Sequence, residues 1–216
     1  MLLGSDDPAL DKPVWAMLHG VLAQLVFGVM VALAAALTPT FRFEGGSASR
    51  KEVRRFKVFS TALTHALILQ LLLGAAYRHM RQSHALFTHM AFSLVVVVLA
   101  LLAGFLAIKL SRSEGLGQPG SDRVGVRRTL SRLGLALIAV VSLQFVLGWL
   151  AFLVGGEART ASSPAEALVR TAHQANGAMM IALATLAFVW SRWLLRRASD
   201  SPDSGTIGAG AAAAAR

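Results

Sequence analysis

The chain has no cysteine, one tyrosine and six prolines in 216 residues, and only 15% of its residues are charged. Without cysteine it forms no disulfide, offers no thiolate to a metal and cannot ligate an iron–sulfur cluster. No HExxH occurs, and the apolar runs are read as having no carboxylate beside their histidines, which argues against metal-assisted hydrolysis. No pattern supports a nucleophilic triad. What the chain has in abundance is hydrocarbon: 55% of its residues are hydrophobic and its mean hydropathy is +0.60. That is too apolar for a soluble domain of this size and typical of an integral membrane protein.

A hydrocarbon core about 30 Å thick takes about 20 apolar residues to cross. Runs of that length occur five times, at about 14–38, 59–77, 85–110, 133–154 and 167–195. Inside lipid every backbone polar group must bond within its own segment, so these runs are helices. The expected fold is an all-α membrane protein of five transmembrane helices, a four-helix bundle plus one extra helix. Residues 1–13 form an outer segment, 14–195 the transmembrane bundle and 196–216 a disordered tail, low in complexity from Ser199 ("SDSPDSGTIGAGAAAAAR"). Asp6, Asp7 and Asp11 precede a run long enough to span, so a secretory signal is not expected.

The net charge of +10 would ordinarily raise nucleic acid as a partner. Its distribution points elsewhere. Arg42, Arg50, Lys51, Arg54, Arg55 and Lys57 share one connection, and six more basic residues lie between Lys109 and Arg132. Arg192, Arg196, Arg197 and Arg216 follow the last run, whereas the alternate side carries only Lys12, Arg78, Arg81, Arg159 and Arg170. By the positive-inside rule the N-terminus faces out and the C-terminus lies in the cytoplasm. The expected setting is the cell inner (plasma) membrane, with anionic lipid headgroups and not nucleic acid as the partner of the basic residues.

Two hairpins repeat. The second run carries "QLLLG" (Gln70 to Gly74) and the third carries His89; the fourth carries "QFVLG" (Gln144 to Gly148) and the fifth carries His173. Each unit leaves the cytoplasm, turns outside and returns, so the two are parallel repeats about an axis along the membrane normal. That axis brings His89 and His173 face to face. Both lie about one turn inside the outer end of their runs, and His19 occupies a similar depth in the first run.

Ionisable residues within the membrane usually mark a site. A lone histidine there is as often an interhelical hydrogen-bonding residue as a ligand; two at matched depth in a repeat favour ligation. Paired imidazoles across a four-helix bundle suit six-coordinate haem iron. Gln70/Gly74 and Gln144/Gly148 are i,i+4 pairs, so each glutamine shares a face with a glycine that leaves room beside it. Asn176, Gly177 and Met180 continue the face of His173, where small residues would let a flat macrocycle approach. Arg78, Arg81 and Arg170 could hold its carboxylates at the interface. The blander readings are that glutamine is interhelical glue, glycine close packing, and the arginines interfacial anchors. His65 is read as a packing or hydrogen-bonding residue, His79 and His84 as interfacial, and Met179 and Met180 as core.

Taken in order, "LHGVLAQLVFG", "LQLLLGAAYRH", "HMAF", "LQFVLG" and "TAHQANGA" resemble the haem A synthase family of cytochrome oxidase assembly, over about Val14 to Leu195. The resemblance implies two similar four-helix bundles, each with a histidine-ligated haem site near the outer face, and oxidation of a methyl group of haem O to the formyl group of haem A. On that mapping the last four helices correspond to the second bundle, with His89 and His173 ligating a haem b. The first helix corresponds to the last of the first bundle, with His19 as one ligand of the substrate haem. The helices that would supply His19's partner and a nearby glutamate have no counterpart here, nor does the external cysteine pair of some members. Activity is therefore expected to need a partner bundle, and haem O synthase or oxidase assembly factors are further expected partners. Two other functions remain open: a non-catalytic haem b electron-transfer or haem-handling protein, and a structural assembly subunit without haem.

Overall fold

The structure, a computed structural model, describes residues 8–38, 50–80, 83–113, 123–155 and 163–193. Five helices fill those segments: α1 (Pro8–Leu37), α2 (Arg50–Met80), α3 (Ser83–Ser111), α4 (Arg123–Gly155) and α5 (Pro164–Trp193). No strand occurs among the described residues, and each helix is long and apolar enough to cross a membrane. The two terminal segments expected at 1–13 and 196–216 lie largely or wholly outside the described residues, as do residues 39–49 and 114–122.

The helices outrun the apolar stretches. α2 begins at Arg50 and α4 at Arg123, so basic residues expected in loops sit on helical turns. Hydropathy marks where hydrocarbon would be, whereas the backbone goes on bonding to itself past that limit at no cost to its charged side chains. Three basic side chains tie this end together. Lys109 on α3 pairs with Glu52 on α2 at 2.8 Å. Arg127 on α4 donates to the carbonyl of Ser111 at 2.8 Å, satisfying an acceptor that the end of α3 leaves open. Arg192 on α5 donates to Thr61 on α2 at 2.7 Å while lying over the Phe188 ring.

α2 packs on α3, α3 on α4, α4 on α5 and α5 on α2, which closes a four-helix ring; α1 lies outside it, against α2 and α5. The ring's core is built from large residues facing small ones: Phe56, Leu63, Leu130, Leu137 and Met180 against Ala100, Ala103, Ala107, Ala184 and Ala187. Alanine at these positions lets helix axes approach closely, the usual device where lipid gives no hydrophobic drive to associate. The tightest crossing is between α3 and α4, where a β-carbon on Gly134 would lie 2.5 Å from the carbonyl oxygen of Gly104. Met180 is fully buried, but Met179 is 52% exposed. Adjacent helical residues are about 100° apart, so one core face rarely holds both.

Candidate histidine site

α3 and α5 are diagonal in the ring, so His89 and His173 point at each other across it. Their ring centroids are 6.5 Å apart and the rings are inclined at 74°. The approach depends on the repeat. A β-carbon on Gly74 would lie 3.1 Å from Cε1 of His89, and one on Gly148 would lie 3.2 Å from Cε1 of His173. The room left by each glycine is thus taken by the histidine of the following helix. No planar ligand is needed to explain these glycines.

The hydrogen bonds set the tautomers. Nδ1 of His89 lies 3.1 Å from the carbonyl oxygen of Gln70, and the Gln70 side-chain amide donates back to the carbonyl of His89 at 2.9 Å. A carbonyl only accepts, so Nδ1 of His89 carries the proton and Nε2 keeps its lone pair. Around His173 the arrangement differs. Nδ2 of Asn176 donates to Oε1 of Gln144 at 2.8 Å and to the carbonyl of Val140 at 2.9 Å. This orients the Gln144 amide so that its nitrogen faces Nε2 of His173 at 3.4 Å. An amide nitrogen only donates, so Nε2 of His173 is again the unprotonated nitrogen. Its Nδ1 is buried without a hydrogen-bond partner. His89 therefore has the second acceptor that orients a ligating imidazole, whereas the corresponding Gln144 carbonyl lies near His173 without closing a hydrogen bond on its Nδ1.

The site can be tested against what haem needs. Two imidazoles on opposite faces of one ion, with metal–nitrogen bonds of about 2 Å and a ring radius of about 1 Å, have centroids roughly 6 Å apart. The observed 6.5 Å fits. Both residues keep Nε2 as the lone-pair atom, and a histidine on each side is one of the donor sets haem iron takes. Among the described residues no group of three or more His, Cys, Asp or Glu side chains could hold a metal ion. A bare metal ion thus finds no ligand set here, whereas haem brings four nitrogens of its own and asks for two.

The other expected site residues are less well placed. Arg78 is exposed, and Arg81 lies outside the described residues. Arg170 pairs with Glu166 at 2.5 Å instead of presenting an open cation. His19 is exposed on α1, away from the ring that holds the paired histidines. His65 bonds the carbonyl of Thr61 on its own helix, as a hydrogen-bonding residue should.

Glu166 adds a buried carboxylate to α5, although not one beside the histidines. It lies within α5, 2% exposed, seven residues before His173 and so two turns away on the same face. The signal for it was present as "SPAE". Ser163 accepts a hydrogen bond from the backbone N–H of Glu166 at 3.2 Å, which makes it the N-cap, with Pro164 at the first helical position. The S-x-x-E pattern, with its Ser163 half made, therefore starts α5 three residues before the apolar run does.

A cavity of about 290 Å³ opens elsewhere, where α1 lies over α2 and α5, walled by Leu25, Gly28, Ile68, Ile181 and Phe188 among others. It includes none of the candidate site residues. No family model, curated protein or solved structure matches the chain.

Proposed function

We propose that the chain is a multi-pass protein of the cell inner membrane, N-terminus out and C-terminus in, that holds a haem b between His89 and His173. The observation that carries this reading is the 6.5 Å separation of the two imidazoles across the ring. That both residues keep Nε2 as the unprotonated nitrogen strengthens it. Bound there, haem would supply reversible one-electron chemistry. The chain's own residues hold and orient it: the Gln70 carbonyl fixes the His89 ring, Gly74 and Gly148 admit the two rings, and Gln144 gives up its long contact to Nε2 of His173.

Two activities can use such a site. The resemblance to the haem A synthase family supports a role in oxidising haem O to haem A, with a second bundle holding the substrate haem. The position of His19 favours the simpler role of haem b binding for electron transfer or haem handling. That residue, the ligand the resemblance assigns to a second haem, is exposed and set apart from the ring. We therefore take haem binding as the function this chain carries by itself, with synthase activity dependent on a partner bundle.

The test is purification from membranes supplied with haem, followed by extraction and typing of the cofactor. One b-type haem per chain is expected, with no conversion of haem O by the chain alone. Conversion that appears only on co-expression with a complementary four-helix bundle assigns the synthase role. A folded chain that takes up no haem overturns the proposal.

A further inference from the structure

α1 carries a second pattern that the histidine site does not use. Trp15, His19, Leu22, Val26, Val29, Leu33 and Ala36 are spaced alternately four and three residues apart. This is the a/d seam of a heptad repeat over three heptads, with His19, Val26 and Leu33 at a and the others at d. Every one of these positions is exposed, and the five large apolar ones are 49–68% exposed. The buried line of α1, Val21, Gly28 and Ala35, lies about a third of a turn round the helix, so packing on α2 and α5 leaves the seam uncovered.

His19 is what makes this seam more than a lipid-facing surface. Ionisable side chains within membranes almost always face a bundle interior or a polar cavity, because hydrocarbon gives them no partner. An imidazole turned to lipid is left without one. A single polar residue at an a position is also the device by which coiled coils fix register and partner number.

Copies of one chain enter a membrane in the same orientation, so two α1 helices can meet only in parallel about an axis along the membrane normal. A parallel a/d seam then sets His19 against His19 of a second copy at equal depth. Neutral imidazole is both a donor and an acceptor, so two identical histidines satisfy each other across a two-fold axis, as two lysines could not. An isologous contact of this kind closes on itself as a dimer.

We infer that the exposed heptad face of α1 is a homodimer interface in which His19 pairs with His19 of a second copy. The inference rests on the helices spanning the membrane in one orientation and is independent of haem binding. It also gives His19 a partner without any further bundle.

The absence of native cysteine makes the test direct. Single cysteines at His19, Leu22, Val26, Val29 and Leu33 are oxidised in native membranes, beside Phe27→Cys and Ala34→Cys, which are also exposed but lie about 100° round the helix from the seam. Disulfide-linked species at about twice the 22.9 kDa chain mass are expected from the seam set, at several times the yield of the two controls. Light scattering of the unmodified protein in mild detergent should give two chains per particle. Cross-links of equal yield in the seam set and the controls, cross-links only to a chain of different mass, or a monomer with no cross-links would each overturn the interface. Release of the chain from membranes by alkaline carbonate would instead sink the membrane reading beneath it.

Discussion

The ring of His173 occupies the space in which a side chain at Gly148 would begin: a β-carbon there would sit 3.2 Å from its Cε1. The first hairpin repeats the relationship with Gly74 and His89, at 3.1 Å. Two glycines, each one turn beyond a glutamine, thus set how deeply two histidines enter one bundle.

Gly74→Ala and Gly148→Ala should each push an imidazole out of line. The obstructing atoms belong to a side chain that can rotate, so the expected stability loss is about 1–3 kcal/mol, the usual cost of overpacking. Thermal unfolding in detergent reads this loss, and haem content should fall alongside it. Unchanged melting and haem content in both variants would mean that the rings do not lie against these glycines.

Gly134→Ala should cost more, at or above the roughly 3 kcal/mol upper end for overpacking. Its new β-carbon would meet backbone, the carbonyl of Gly104 at 2.5 Å, and backbone cannot rotate aside. Gly20→Ala is the contrasting case. Nothing lies within 4 Å of a β-carbon there, so the gain in helix propensity, up to about 1 kcal/mol, is expected to show. The two melting temperatures should move in opposite directions.

Glu166→Leu removes the carboxylate partner of a largely buried guanidinium, Arg170, whose side chain is 21% exposed. Breaking a buried pair from one side costs on the order of 3–5 kcal/mol. The comparison is Glu52→Leu, whose partner Lys109 is 65% exposed; an exposed pair contributes roughly 0–1 kcal/mol. Equal losses in the two variants would show that the Glu166–Arg170 pair is not buried in the working protein.

The parts of this molecule that follow from one-dimensional pattern were legible in the sequence. Five apolar runs became five helices, and the repeated glutamine–glycine pair with a histidine on the next helix became two opposed imidazoles. Rotation and boundary were not legible in the same way. The depth of His19 follows from counting residues, but the direction it faces depends on which side of α1 packs on α2 and α5. The ends of α2 and α4 were misplaced because charged residues close the apolar run while the helix continues. The start of α5 at Ser163-Pro164 is readable from its N-cap and proline, but Glu166, just ahead of the apolar run, was passed over as a buried carboxylate. The tautomers of His89 and His173 follow from carbonyl and amide partners 19 and 29 residues away, which no local pattern encodes.

The central claim, that His89 and His173 hold one haem between them, is tested most directly by reduced-minus-oxidised optical spectra. These are recorded for the unmodified protein beside His89→Ala and His173→Ala, each checked for retained helicity. Sharp low-spin b-type bands in the unmodified protein, lost in both variants, are the expected result. Bands that survive either substitution unchanged would contradict the paired-histidine site.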